Sequence, residues 1–256
     1  MKHIPLSLIL SVIVSTACAQ ETIKTELVTG DKYTKEKEVF YVLKDNDTVR
    51  HGQYKRYTGS SLTVSGWYNR GKKDSVWQYS FRNTTPSKRF YRDGNKTGVW
   101  KFIDRFGNVD WEYDFETKQA TYSDKHNSKG DTLYTKGYVL DNNGSWVKGK
   151  LDKGPLALYA EGEWLSFLQK TLRYPQEAMD NEEMGTVYVN VIINQKGETT
   201  GFEIEKSATP ALDKEALRVY NVFPFEFIPA EQNGQPVAVK ITLPLTFRLE
   251  ISGNKR

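Results

Sequence analysis

Val237–Leu249 reads VAVKITLPLTFRL, and its alternation decides the fold of the carboxy-terminal part of the chain. Val237, Val239, Ile241, Leu243, Leu245, Phe247 and Leu249 share one parity, and Ala238, Lys240, Thr242, Pro244, Thr246 and Arg248 share the other. Successive side chains of a strand point to opposite faces, so this parity predicts one long strand with a single buried face. Pro244 has no N–H to give to a ladder, which predicts an edge strand or a position beside a ladder gap. A long open edge is a template on which another chain can pair.

Working outward, Trp164, Phe167, Leu168 and Leu172 recur at helical spacing and predict a helix over Glu161–Leu172. Arg173-Tyr174-Pro175 ends it, because the residue before a proline avoids the α region. Gln176–Met184 is predicted to continue as a short helix. Val187, Val189, Val191 and Ile193 alternate within a strand Thr186–Asn194, and Gln195-Lys196-Gly197 turns the chain into a second strand, Glu198–Ser207. Thr209-Pro210 opens a helix whose stripe is Leu212, Ala216, Val219, Tyr220 and Phe223, and Pro224 closes it. Asn233-Gly234 is the turn into the last strand. The order helix, strand, strand, helix, strand is a two-layer α+β unit.

These signals resemble the carboxy-terminal domain family of TonB, the periplasmic energy transducer. The stretches that carry the likeness are YPQEAM from Tyr174, GTVYVNVIINQKGETTGFEIEKS from Gly185, ALDKEALRVY from Ala211, and FIPAEQNGQPVAVKITLPLTFRL from Phe227. The likeness extends over about residues 161–250, within a domain placed at 156–251. It implies binding rather than catalysis. In that family the domain captures a short peptide segment of an outer-membrane transporter as a strand added to its last strand, in TonB-dependent transmembrane transport. Carried onto this chain, the partner-binding edge is Val237, Ala238, Val239, Lys240, Ile241, Thr242 and Leu243, flanked by Tyr174 and Pro175. Transducers of the family also carry an uncleaved membrane helix with a histidine, and a proline-rich spacer. Here the apolar run Ile4–Val14 holds no ionisable group, and the chain has nine prolines, so energy coupling is not implied.

The amino-terminal part is organised by a repeat. Seventeen of the 33 aromatic residues lie in Phe40–Phe115. Tyr54, Trp77 and Trp100 are spaced by 23, as are Gly52, Ser75 and Gly98, and the pairs Tyr68/Tyr91 and Gly71/Gly94. A fixed period in this range predicts units that each bury a face on the next. Each unit holds two short strands and a glycine turn, which predicts a continuous sheet of stacked antiparallel hairpins lined by aromatics. The pattern resembles MORN-type repeats over about residues 40–118, with Ser75 in place of a usual glycine. The resemblance implies an interaction or spacer surface, and the tryptophans read as packing between hairpins. Residues 119–155 are expected to be a connector or extra strands, with Gly154-Pro155 as the boundary. The fold class is therefore α+β: an amino-terminal all-β repeat sheet followed by a two-layer α-β-β-α-β domain.

Residues 1–19 have a basic start, a short apolar run and small residues at the end, which predicts a secretory signal. Two endings fit. Ala17-Cys18-Ala19 is a plain cleavage site that leaves Gln20, and Ser15-Thr16-Ala17-Cys18 resembles a lipobox in which Cys18 is lipidated. The protein is expected in the periplasm or cell envelope, with a lipid anchor as its sole link to a membrane. One cysteine excludes a disulfide framework, and a net charge of +4 gives no reason to expect nucleic acid. Three scattered histidines and the lack of H-E-x-x-H, G-x-S-x-G or P-loop motifs predict no metal, no cofactor and no enzymatic activity. Glu203, Glu205, Asp213 and Glu215 read as solvated carboxylates. Two functions fit: a non-catalytic envelope protein that binds a transporter peptide, or a periplasmic adaptor that docks on an envelope complex through the repeat sheet, without energy coupling.

Overall fold

The computed structural model describes residues 7–9, 22–29, 35–81, 84–104, 106–122, 136–141 and 143–249. The chain falls into two compact units. The first holds residues 160–166 and the strands β1 (Ser7–Ile9), β2 (Thr22–Thr29), β3 (Glu36–Leu43), β4 (Arg50–Thr58), β5 (Ser61–Asn69), β6 (Lys72–Phe81), β7 (Thr84–Arg92), β8 (Asn95–Ile103), β9 (Val109–Asp114) and β10 (Gln119–Tyr122). The second holds β11 (Lys136–Leu140), β12 (Trp146–Lys150), β13 (Leu156–Ala157), β14 (Gly185–Ile193), β15 (Thr199–Lys206), β16 (Phe227–Ile228), β17 (Ala230–Gln232), β18 (Gln235–Val237) and β19 (Val239–Phe247). The helices are α1 (Glu161–Thr171), α2 (Gln176–Asp180) and α3 (Pro210–Val222).

In the first unit the ten strands form one antiparallel sheet in chain order. The turns set it up. Arg70-Gly71 and Asp93-Gly94 have φ of 46° and 83°, and of 51° and 84°, the two-residue geometry whose twist matches the flanking strands. Ser75 takes φ 58° where Gly52 and Gly98 take 104° and 61°, so the replaced glycine keeps its left-handed backbone.

The 23-residue period is a ladder of rings on one face. Trp77 and Trp100 are fully buried; Tyr54 stacks on Trp77 at 5.3 Å, and Tyr91 lies 5.1 Å from Trp100. The two indole N–H groups donate to the carbonyls of Trp67 and Phe90 at 3.1 and 3.0 Å, so the acceptors keep the period as well. So do the cations. Arg50 lies 4.5 Å from Phe40 and 5.2 Å from Tyr54, Lys73 lies 4.5 Å from Trp77, and Lys96 lies 6.0 Å from Trp100. Rings shielded by cationic stems let a single sheet bury an apolar face. Within this unit Arg89 on β7 pairs with Glu163 of α1 at 2.5 Å, and Ser87 donates to the same carboxylate at 2.8 Å.

In the second unit the sheet order is β12-β11-β19-β14-β15. β19 pairs with β14 over nine residue pairs, from Gly185↔Phe247 to Ile193↔Val239. The expected parity is the buried one. Val239, Ile241, Leu243, Leu245 and Phe247, with Val187, Val189, Val191 and Ile193, make the core face beneath α3, which turns Leu212, Ala216, Val219 and Tyr220 inward. Thr209 caps α3 by accepting from the Leu212 N–H at 3.4 Å, with Pro210 in the first turn.

The amino-terminal sheet extends beyond residues 40–118 at both ends, and of the connector or extra strands expected over 119–155 the described residues supply β10, β11, β12 and β13. Two expectations change. The helix predicted over Gln176–Met184 stops at Asp180, where the turn through Glu182 (φ 51°) reverses the chain. The strand predicted over Val237–Leu249 breaks at Ala238: Val237 belongs to β18, paired with Ala230 across the Asn233-Gly234 turn.

Candidate functional site

β19 is expected to be an edge strand or to lie beside a ladder gap, and among the described residues it is flanked on both sides only as far as Lys240. On the side away from β14, β11 pairs with it at Val139↔Val239 and Tyr138↔Lys240. No described strand pairs on that side beyond Lys240. Pro244 is accommodated because its backbone faces that open side.

The direction of each backbone group follows from one hydrogen bond. In an antiparallel pair, residues alternate between those that present N–H and C=O to the partner and those that turn them away. The Leu140 N–H donates to the Ala238 carbonyl at 3.3 Å, so Ala238 and the even-numbered residues after it face away from β14. The Lys240 carbonyl agrees, since a Cβ on Gly137 of β11 would stand 2.9 Å from it. Pro244 shares this parity, so its missing N–H takes nothing from the β14 ladder. Its carbonyl accepts from the Tyr220 hydroxyl at 3.3 Å. By the same parity the open run presents the N–H groups of Thr242 and Thr246 and the carbonyls of Thr242 and Thr246, while the Pro244 carbonyl is engaged by Tyr220.

The expected edge residues are therefore divided. Val237 sits in a hairpin, and Ala238, Val239 and Lys240 lie beside β11. Ile241 and Leu243 turn their backbone to β14 and their side chains to the core, leaving Thr242 on the open run. Tyr174 joins that run at its far end. Its ring meets Phe247 edge-on at 5.8 Å, and its hydroxyl donates to the Glu183 carbonyl. Pro175 caps α2 from an extended conformation and is half-buried. Cys18 lies outside the described residues.

The face of the sheet opposite α3 is polar and connected. The Thr242 hydroxyl donates to Asn190 at 2.7 Å, and the Asn190 amide donates to Glu205 at 2.6 Å. Lys240 is buried rather than solvent-facing: it pairs with Glu203 at 2.6 Å and lies 4.9 Å from the Trp146 ring. Glu215 is also buried, contrary to expectation. It accepts from the Arg173 N–H at 2.7 Å and from Arg218 at 2.6 and 2.7 Å. Its hydrogen bonds pin the end of α1 to α3, a structural task.

Beside Thr242 this face holds a hollow of about 580 Å³, walled by Tyr138, Lys148, Lys150 and Glu205. Sequence reasoning read Glu205 as a solvated carboxylate and missed Tyr138, Lys148 and Lys150. The signal was present as the even-numbered lysines Lys136, Lys148 and Lys150 in alternating segments, but nothing local says that the segments join this sheet.

The second unit thus presents an α-β-β-α-β order whose last strand has no described neighbour on one flank beyond Lys240. Residues 170–249 match the family described as Gram-negative bacterial TonB protein C-terminal, just under a third of the chain. The likeness is to that carboxy-terminal domain and is confined to this segment. Neither the curated proteins nor the solved structures gave a match.

Proposed function

We propose that this protein is a non-catalytic component of the cell envelope that binds a peptide segment of an outer-membrane transporter by strand addition, in TonB-dependent transport. The observation that carries the reading is the open backbone run Thr242–Thr246, in the segment that matches the TonB family. Main-chain hydrogen bonds supply affinity there with little demand on the guest's sequence. The docking residues are Thr242, Pro244 and Thr246, whose backbone faces away from β14, with Tyr174 and Pro175 at the far end; Val237–Lys240 form the inner boundary. The amino-terminal segment acts as a signal, removed together with β1 to leave Gln20 or a lipidated Cys18 and a sheet that begins at β2, and delivers the chain to the periplasm.

The test is proline at an outward donor. Thr242→Pro deletes a donor that the domain's own ladder does not use, and the control Thr242→Val removes only the hydroxyl bond to Asn190. Both should melt alike, while the proline variant loses about 1–3 kcal/mol of transporter binding. Equal binding by the two variants at equal stability removes this edge from the mechanism.

A second reading is favoured by the first unit, where Trp67 is 45% exposed and Val76 38% exposed on the repeat sheet. There the sheet, taken as MORN-type, docks on an envelope complex and the protein serves as an adaptor. Deleting residues 40–118 should then abolish complex formation while deleting 185–249 should not; the opposite pattern favours strand addition.

A further inference from the structure

The first unit has a strand flank of its own, and removal of the signal opens it. β1 lies on the outer side of β2, paired antiparallel as Ser7↔Val28, Leu8↔Leu27 and Ile9↔Glu26, and among the described residues no other strand occupies that side. Leu8 and Ile9 belong to the apolar run Ile4–Val14 of the segment read as a signal. Without that segment β2 ends the sheet, preceded by Gln20 and Glu21 in a chain cleaved after Ala19. Its sequence, TIKTELVT over Thr22–Thr29, is self-complementary about Thr25. In an antiparallel pair of two copies centred there, Ile23 lies opposite Leu27, Thr25 opposite itself, and Lys24 opposite Glu26 at two crossings. β2 pairs Thr25 with Phe40, which pairs with Tyr54 of the ring ladder, so Ile23, Thr25 and Leu27 lie on the ladder face. Two copies would continue that face across the junction, with the charges together on the other face. Registers centred on Lys24 or Glu26 put like charges opposite, which is unfavourable.

We infer that the mature chain pairs with a second copy of itself through β2, in the register centred on Thr25, and so joins two amino-terminal sheets into one. This rests on the reading of residues 1–19 as a removed signal. A lysine alone on an edge strand keeps other strands away. A lysine and a glutamate two residues apart instead select a strand that carries the same pair in reverse. Within one chain Glu26 is held by Lys24 at 3.0 Å and by Lys37 at 2.8 Å. In the pair it keeps Lys37 and exchanges its own Lys24 for that of the second copy. The contact uses the same patch on both copies, so it closes at a dimer.

The experiment uses the full mature chain from Gln20 in sedimentation velocity at low salt, with thermal melting as the control for folding. The unaltered chain should show a concentration-dependent dimer. Lys24→Glu and Glu26→Lys each place like charges at both crossings, and each variant alone should dimerise about 10-fold more weakly or less. Mixed in equal amounts they should dimerise again, because each crossing then joins opposite charges. A mixture that stays monomeric, when both variants melt like the unaltered chain, overturns the register centred on Thr25. A monomeric unaltered chain overturns the self-pairing, as does a dimer that both variants keep undiminished; neither result touches the signal. Material from the envelope that retains Met1 overturns the signal reading and this open edge with it.

Discussion

Arg89 brings a full charge into a nearly closed site, and its stability rests on one carboxylate. Burial acts against the guanidinium charge, and the negative Glu163 beside it more than restores it, holding Arg89 above its usual range. Glu163→Gln keeps the shape but leaves the cation uncompensated, so urea unfolding should show a loss of about 3–5 kcal/mol. Arg89→Met with Glu163→Leu should recover most of it, because apolar replacements leave no buried charge. Tyr54 makes a different prediction. Burial raises its phenol first, and the negative Glu38, which accepts its O–H at 2.8 Å, raises it further. The unfolded phenol ionises near pH 10, and a raised folded value means that the neutral form is preferred in the fold. Its contribution is complete below about pH 10 and is lost as pH rises through the folded value. Melting temperatures from pH 9 to 11.5 should fall more steeply for the unaltered chain than for Tyr54→Phe. A parallel decline in the two would remove Tyr54 as the cause.

Hairpins are where this chain's glycines have distinct uses. Gly66 on β5 gives its side-chain space to Trp77: a Cβ there would stand 2.3 Å from the indole. Gly66→Ala should force the ring out of its stack and cost about 1–3 kcal/mol or more. Gly59 has open space but φ 58°, so Gly59→Ala should cost only the backbone strain, about 1–2 kcal/mol. The two variants compared in urea separate packing from conformation. Much of this level was legible in sequence. Period-2 alternation placed β14, β15 and β19 within a residue or two, and a helical stripe with a Thr-Pro start placed α3. The repeat was legible too, but its cations were not: Arg50, Lys73 and Lys96 share the interval, yet lysines on a sheet ordinarily read as a solvated face. Their position against the rings is a matter of which face they share, and strand bulges reset that locally.

For the whole molecule, the mature amino terminus is the most direct test of where the protein resides. Mass spectrometry of material from the envelope should find free Gln20 or a lipidated Cys18, and an intact Met1 would overturn the cleaved signal. The sequence by itself determined that Val239–Phe247 is a strand with one buried parity, because alternation is set by the covalent geometry of neighbouring residues. It also determined the α-β-β-α-β order and the place of Pro244 on the outward parity, since proline is tolerated only where no ladder donor is needed. Only the tertiary structure decided how much of that edge is open. β11 reaches β19 from about a hundred residues away in the chain, and its placement follows from long-range pairing. Periodicity carries no information on such pairing, because every strand has two flanks and its own residues are the same whichever neighbour fills them.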